Sequence, residues 1–345
     1  MPPAAAEPTD GPELAARARA GDRLALARLL SRIENQDPQG LSGLAALYPH
    51  SGRAQRVGVT GGSGTGKSSL VNVLVQHIRS GGAAAPTVAV VAVDPSSPFS
   101  GGALLGDRIR MGDLAGDPGV FIRSMASRGA LGGLARATAD VVEALDAAGY
   151  GLILIETVGA GQTEVDIART AHTTLVVEAP GLGDDVQAIK AGILEIADIL
   201  VVNKADLPGA DHTLRLLRAA LELAQPDHAE HAHHGAAAAA PPAPEAAAPG
   251  WTIPVERTVA TTGEGIPALY AAIVRHGEHL EASGERGRRQ RARVRQELEA
   301  LLRERLTQRW HAAQPDGHFE AALERVLRRE LAPRQAVEAL VGRGD

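Results

Sequence analysis

The chain has 345 residues, of which 44% are hydrophobic and only 2% aromatic, and its formal net charge is -6 at pH 7. It contains no cysteine, which excludes disulfides, thiolate metal sites and cysteine-based catalysis. The negative charge gives no overall attraction to nucleic acid or anionic lipid, and no apolar run is long enough to predict a membrane span. Because the first residues lack a basic or apolar targeting segment, we expect a cytoplasmic protein without nucleic-acid or membrane partners.

Only helices are predicted before residue 51, and strands that alternate with helices are predicted after it. Residues 1–11 are rich in Pro and Ala and are predicted to be disordered. Apolar side chains at helical spacing over 12–34 predict one or two short helices in an N-terminal extension, 12–50. Short runs rich in strand-forming residues, most of them apolar, follow at 57–59, 87–93, 152–156, 173–178, 198–203 and 254–260. Because they alternate with helical patterns, they predict a doubly wound, mostly parallel α/β sheet over 51–280.

A phosphate-binding motif follows the first predicted strand. The sequence TGGSGTGKSSL matches G-x-x-x-x-G-K-[ST] between a strand and a helix, as a P-loop requires. Its glycines allow backbone N–H groups to surround phosphate oxygens, Lys67 would reach the terminal phosphates and Ser68 would offer its hydroxyl to Mg²⁺. The predicted phosphate ligands are Gly61, Gly62, Ser63, Gly64, Thr65, Gly66, Lys67, Ser68 and Ser69.

Three carboxylates are candidates for a magnesium site. Glu156 ends the apolar run 152–156 in the sequence ETVG, where many P-loop enzymes place an acid that approaches Mg²⁺. Asp94 ends another predicted strand, and Asp107 lies in the loop that follows it. The alternative is that each acid only caps the next helix or turn.

The base-binding residues are predicted at the ends of the last two strands. Asn203, Lys204 and Asp206 form an N-K-x-D sequence, in which the Asp carboxylate accepts two hydrogen bonds from guanine that adenine does not offer. Lys204 would lie along the base and Asn203 would brace the loops. A second base-contacting loop is predicted at Ala260, Thr261 and Thr262. The site should therefore prefer GTP to ATP.

Two further segments have unusual composition. Residues 225–250 carry four histidines among long Ala and Pro tracts, which predicts an unstructured surface insertion or, alternatively, a metal-storing tract. Beyond Gly284, six arginines in ten residues lead into a helix with Val294, Leu298, Leu301, Leu302, Leu306 and Trp310 on one face, and a second helix is predicted from Phe319 to Leu331. We interpret 281–345 as a helical dimerisation arm, with nucleic-acid binding as the alternative.

Four long stretches carry a family resemblance. The segments at 93–111, 121–135, 154–168 and 180–206 resemble the MeaB-type GTPases, formerly labelled ArgK or LAO/AO transport ATPases, of the SIMIBI class of P-loop GTPases. The likeness extends from about residue 12 to about residue 310. It implies a homodimeric G-protein chaperone that binds GTP and Mg²⁺ and gates adenosylcobalamin delivery to an acyl-CoA mutase. That mutase would be the methylmalonyl-CoA or the isobutyryl-CoA enzyme. It also implies that Ser68, Asp94, Asp107 and Glu156 gather near Mg²⁺.

The group that activates water is not determined by these motifs. Candidate catalytic residues are Lys67, Glu156, Gln162, which would position water, and Lys190, which would stabilise developing phosphate charge. Residues 181–190 resemble a mobile switch, or alternatively the acidic start of a helix. Intrinsic turnover is expected to be slow. The competing functions are a nickel metallochaperone GTPase that uses the histidine tract and a small-molecule or protein kinase.

Overall fold

The structure is a computed structural model that describes residues 10–94, 112–114, 116–126, 133–157, 169–181, 194–224, 250–315 and 317–342. The chain divides into two compact units, one up to Gly287 and one from Arg288 onward. The first unit contains the sheet, and the described part of the second unit is helical. No helix within the described ranges combines the length and the apolar character that a membrane span requires.

Seven parallel strands form one sheet in the first unit. Their bounds are β1 Gln55–Gly61, β2 Val88–Asp94, β3 Val120–Ala126, β4 Leu152–Thr157, β5 Thr173–Glu178, β6 Ile199–Val202 and β7 Val255–Arg257. Their order is β3-β2-β4-β1-β5-β6-β7, and every pairing is parallel. Because β2 to β4 lie on one side of β1 and β5 to β7 on the other, the chain changes direction at β1, where such sheets bind ligands. The predicted doubly wound α/β fold is confirmed.

Helices cover both faces of the sheet. One face packs against α1 Gly11–Arg19, α2 Arg23–Glu34, α3 Pro38–Leu47 and α5 Gly133–Ala147. The other face packs against α4 Lys67–Arg79 and α7 Ile266–Ala282. A further helix, α6 Ala210–Ala224, packs on β6 in a separate apolar cluster. In β2, Ala89 and Val91 belong to one apolar cluster and Val88 and Val90 to the other. The strand is apolar throughout because both of its faces are buried.

Strand β3 was not predicted. It contains Arg123 and Ser124 in its middle, so it lacks the continuous apolar run that marked most of the other strands. Arg123 lies at the sheet edge, where α2 provides partners for it. The Arg123 guanidinium pairs with Glu34 and donates to the Ser31 hydroxyl at 3.1 Å. A local sequence pattern cannot indicate such a partner, because it lies about 90 residues away in the sequence.

The N-terminal extension contains one helix more than expected. Two helices over 12–34 are confirmed as α1 and α2, and α3 follows them. Gly40 and Gly43 give α3 a poor helix propensity, whereas Pro38 stands at the first helical position, where proline is tolerated. A local cap at Asp37 and a contact with α1 compensate for the glycines. Asp37 accepts the N–H of Gln39 at 2.7 Å, and the Gln39 side chain accepts the N–H of Gly11 at 3.0 Å.

Three helices make up the C-terminal segment. They are α8 Glu285–Ala313, α9 His318–Leu327 and α10 Pro333–Val341. The first two confirm predicted helices, but α9 ends at Leu327 and not at the predicted Leu331, because Arg329 has a left-handed φ of 61°. The third helix, α10, was not predicted. In the second unit, the Trp310 indole N–H donates to the Leu340 carbonyl at 3.3 Å, and the Trp310 ring meets Phe319 edge-on. Only Ala336 and Leu340 are buried among the described residues of this unit.

Candidate functional site

The P-loop connects β1 to α4 at the centre of the sheet. β1 ends at Gly61, whose φ of 137° favours glycine, and a Cβ there would lie 2.0 Å from the Val177 carbonyl oxygen of β5. Gly66, with a φ of 87°, immediately precedes the first residue of α4. The loop therefore delivers the N-terminus of α4 to the carboxyl edge of the sheet, where helix N–H groups and the helix dipole favour an anion.

Lys67 lies folded across the loop. Its side chain is buried, and Nζ donates to the carbonyl oxygens of Gly61 at 2.9 Å and Gly62 at 2.8 Å. Thr65 closes the same turn, because its hydroxyl donates to the Gly62 carbonyl at 3.0 Å. The ammonium group is thus held inside the concave side of the loop, as a phosphate-binding lysine requires.

Ser68 and Glu156 meet as the magnesium prediction requires. The Ser68 hydroxyl donates to Glu156 Oε1 at 2.5 Å, and both side chains are buried. A fully buried carboxylate at the end of β4 is costly without a polar or charged partner. Hydroxyl and carboxylate oxygens suit Mg²⁺, which binds through one or two protein oxygens when phosphates complete its shell. The pair therefore fits this ion.

Asn203 joins three loops. It is buried just after β6, and its Nδ2 donates to the Thr65 carbonyl of the P-loop at 2.8 Å. Its Oδ1 accepts the Thr258 hydroxyl at 3.1 Å and the Ala260 N–H at 3.3 Å. A Cβ on Gly66 would lie 2.6 Å from Nδ2, so glycine at that position lets the loops approach. The bracing function predicted for Asn203 agrees with this geometry.

The rest of the N-K-x-D sequence extends from Asn203 toward solvent. Lys204, at a φ of 54°, donates from Nζ to the Gly64 carbonyl at 2.8 Å, so its stem lies along the P-loop. The Ala205 N–H donates to the Thr258 carbonyl at 3.0 Å. Asp206 is exposed. Its carboxylate is therefore accessible to a ligand at the edge of the site.

The second predicted base loop lies beside the first. Ala260 is buried, whereas Thr261 and Thr262 are exposed. The loop is closed by the Val259 N–H, which donates to the Glu264 carbonyl at 3.0 Å, and by the Thr262 N–H, which donates to the Val259 carbonyl at 3.1 Å. It thus presents its exposed residues from a tight turn.

Several predicted residues lie outside the described part. Asp107, Gln162 and Lys190 belong to the ranges that the structure does not describe, and for Asp94 only the backbone at the end of β2 is described. The histidine tract at 225–250 is outside as well, except for Gly250. Within the described ranges no three His, Asp or Glu side chains are placed to hold a metal ion by themselves.

Thr258 is a site residue that the sequence motifs missed. It is fully buried directly after β7, and its hydroxyl contacts the side chain of Asn203. Its only signal in the sequence is its position two residues before the predicted base loop. A threonine in an apolar run reads as an ordinary strand residue, so nothing local marks its contact.

Comparisons with known proteins identify the family and the fold. The family model described as "Methylmalonyl Co-A mutase-associated GTPase MeaB" matches residues 26–315. A protein of Pyrococcus abyssi that is classed as a GTPase is 44% identical over 329 residues, 95% of each chain. A fused isobutyryl-CoA mutase of Cupriavidus metallidurans is 40% identical over 198 residues, 57% of this chain and 18% of that protein. The crystal structure of a LAO/AO transport system kinase superposes with a TM-score of 0.68 at 26% identity, covering 96% of both chains.

Proposed function

This chain belongs to the MeaB family of methylmalonyl-CoA mutase-associated GTPases, and we propose that it is a chaperone of an adenosylcobalamin-dependent acyl-CoA mutase. In this role, GTP binding and hydrolysis gate adenosylcobalamin loading and protect the mutase. The family description and the fused isobutyryl-CoA mutase both support an acyl-CoA mutase as the partner.

The observation that carries the nucleotide assignment is the link from Asn203 to the P-loop. Its side chain ties the loop that would hold phosphates to the two loops that would hold a base. A ligand that spans these loops must carry both phosphates and a purine. The exposed carboxylate of Asp206 supports guanine as that purine.

Mg²⁺ is proposed at Ser68 and Glu156, with Asp94 and Asp107 as further oxygen donors. When bound, the ion would neutralise charge on the β- and γ-phosphates. The protein itself contributes by positioning the hydroxyl and the carboxylate that would bind the ion. Ser68 is the second residue of α4, directly after Lys67, and Glu156 is the last but one residue of the neighbouring strand β4, so the sheet holds the hydroxyl and the carboxylate together.

Lys190 and Gln162 are proposed to assist hydrolysis, with a low intrinsic turnover. The chain has 35 Lys and Arg residues, and only Lys67, Lys190 and Lys204 are lysines. Two of these three belong to the nucleotide motifs. Because arginine is used almost everywhere else, the remaining lysine marks a position that favours a compact ammonium group over a planar guanidinium. This supports Lys190 as a ligand for phosphate charge and leaves Gln162 to orient water.

The segment 181–190 is proposed to report the nucleotide state to the mutase. It follows β5, and the carbonyl of Glu178 at the end of β5 accepts the Asn203 N–H at 2.8 Å. The backbone that leads into the segment is therefore attached to the base motif. Phosphate-dependent ordering of such a segment is a common switching mechanism in GTPases.

A direct binding experiment tests the chaperone function. Purified protein is mixed with a recombinant methylmalonyl-CoA or isobutyryl-CoA mutase, in the presence of either GDP or a non-hydrolysable GTP analogue, and analysed by size-exclusion chromatography. We expect co-elution with one of these mutases and a different yield of complex in the two nucleotide states. If neither mutase binds in either state, the chaperone proposal is wrong even if GTP is hydrolysed.

A second copy of this chain is proposed as a further partner. The C-terminal unit exposes Leu298, Leu302 and Leu306 at helical spacing along α8, and Leu323 and Leu327 along α9. A unit that buries only two of its described residues gains little stability from its own core. Contact of these leucines with another copy would remove them from water.

A further inference from the structure

We infer that Thr258 is a positioning residue that couples base recognition to phosphate binding, through the side-chain amide of Asn203. This inference rests on the proposed nucleotide site and adds a residue that belongs to neither nucleotide motif. The hydroxyl of Thr258 is fully buried and lies 3.1 Å from Asn203 Oδ1.

The hydrogen-bond donors around Asn203 determine how its amide is oriented. An asparagine side chain has one acceptor oxygen and one donor nitrogen, which differ only in the contacts that they can make. The Ala260 N–H can only donate, and the Thr258 hydroxyl donates as well, so Oδ1 must face both groups. Nδ2 then faces the Thr65 carbonyl, which can only accept.

The hydroxyl is the closer of the two donors. Without it, the donor that remains to Oδ1 among the described residues is the Ala260 N–H at 3.3 Å, a long contact for this type of bond. A buried carbonyl oxygen that loses a partner destabilises its arrangement. The amide would then no longer hold the Thr65 carbonyl and the loop after β7 in one fixed relation.

The backbone of Thr258 makes its own contacts, which a side-chain change preserves. Its N–H donates to the Val202 carbonyl at 2.9 Å, and its carbonyl accepts the Ala205 N–H at 3.0 Å. A valine has nearly the same shape as threonine and keeps both contacts. The substitution Thr258→Val therefore removes the hydroxyl with little other change.

The affinity for a ligand that is held at two places depends on the distance between those places. GTP would bind to the P-loop through its phosphates and to Asp206 through its base, so a fixed spacing favours binding at both places at once. ATP would use the phosphate loop without the hydrogen bonds between guanine and Asp206. Loss of the coupling should thus weaken GTP binding and change ATP binding little.

The test compares Thr258→Val, Thr258→Ser and Thr258→Ala with the unmodified protein. Dissociation constants for GTP and ATP are measured with Mg²⁺ by competition against a fluorescent GDP analogue. We expect Thr258→Val and Thr258→Ala to weaken GTP binding about tenfold and ATP binding less than about twofold. Thr258→Ser keeps the hydroxyl and should bind GTP as the unmodified protein does.

The outcomes separate this inference from the nucleotide assignment. Unchanged GTP affinity in Thr258→Val, or an equal loss of GTP and ATP affinity, would overturn the coupling function of Thr258. If Thr258→Val does not fold, equal GTP affinities for the Ser and Ala variants would overturn it as well. Failure of the unmodified protein to bind GTP would instead contradict the proposed site.

Discussion

Among single residues, Asp206 is the one proposed to select the nucleotide. Its exposed carboxylate can accept hydrogen bonds from the ring N–H and the amino group of guanine. We expect Asp206→Asn to weaken GTP binding by at least about 100-fold, because the new amide group would point a donor at the guanine donors. The same change should favour xanthosine triphosphate, which has a carbonyl in place of the amino group. Calorimetry with Mg²⁺ measures the affinities for GTP and for xanthosine triphosphate.

An acid on α6 provides the matched control for that substitution. Asp211 is also exposed and pairs with Arg257, but it lies outside the N-K-x-D sequence. Asp211→Asn should leave both affinities unchanged. Equal GTP binding by Asp206→Asn and the unmodified protein would contradict the assignment of the base.

At the scale of elements, a buried acid of α5 holds the segment that leads into β1. Asp146 accepts the N–H groups of Gly52, Arg53 and Ala54 at 3.0 to 3.1 Å and pairs with buried Arg56 at 2.9 Å. Burial raises the pKa of Asp146, but the hydrogen bonds from Arg56 and from the backbone outweigh it, so its pKa lies below the ordinary value. The ionised acid thus fixes the strand that carries the P-loop.

The lowered pKa predicts how stability depends on pH. A carboxyl group with a lowered folded pKa contributes stability above its unfolded pKa of about 3.9, and the contribution disappears as pH falls through the folded pKa. We expect Asp146→Asn to lower the free energy of unfolding by about 3 kcal/mol at pH 7, because Arg56 loses a buried partner. The variant should also lose less stability than the unmodified protein below pH 4. Urea unfolding at several pH values measures both effects.

A second acid of α5 is the control for that experiment. Glu143 pairs with the same guanidinium at 2.7 Å but contacts none of the three N–H groups, and it is less deeply buried. Glu143→Gln should therefore cost less stability than Asp146→Asn. If the two variants unfold alike at every pH, the backbone contacts of Asp146 do not stabilise the segment.

At the scale of the whole molecule, the exposed leucines of α8 predict a dimer. Leu302 and Leu306 are 58% and 54% exposed although they lie one helical turn apart on an apolar stripe. We expect the protein to be a dimer by light scattering, and the double substitution Leu302→Asp and Leu306→Asp to give a monomer, since two charges cannot be buried without partners. GTP binding should change less than about twofold in this variant, because its changes lie in the other compact unit.

A polar position on the same helix tests whether any new charge has this effect. Thr307 is exposed and lies on the opposite side of the helix from Leu298 and Leu302, so Thr307→Asp should remain dimeric. A monomeric unmodified protein, or a dimer that survives both leucine substitutions, would show that these leucines do not form the interface.

Local patterns predicted most of the fold and much of the site, for a physical reason. A strand buried on both faces must be apolar along its length, and a phosphate loop must carry glycines and a lysine, so both are visible in a short window. Five strands and the P-loop were recognisable in this way, whereas β7, Val255–Arg257, was predicted from a run that contains Glu and Arg. β3 was not, because Arg123 obtains its partner from α2, and α3 was not, because its two glycines weaken the local helix signal and its contact with Gly11 lies 28 residues away.

The local motifs define the chemistry that is available to this protein: a P-loop, an N-K-x-D sequence and a carboxylate at the end of an apolar strand. How these parts combine follows from their placement in the fold. The tertiary structure brought Ser68 to Glu156, joined Thr65 to Asn203, and placed the unmarked Thr258 against the same amide. The reason is that each of these hydrogen bonds joins residues 55 to 138 positions apart. Only the parallel order of the strands, which gathers their carboxyl ends at one edge, brings such residues together.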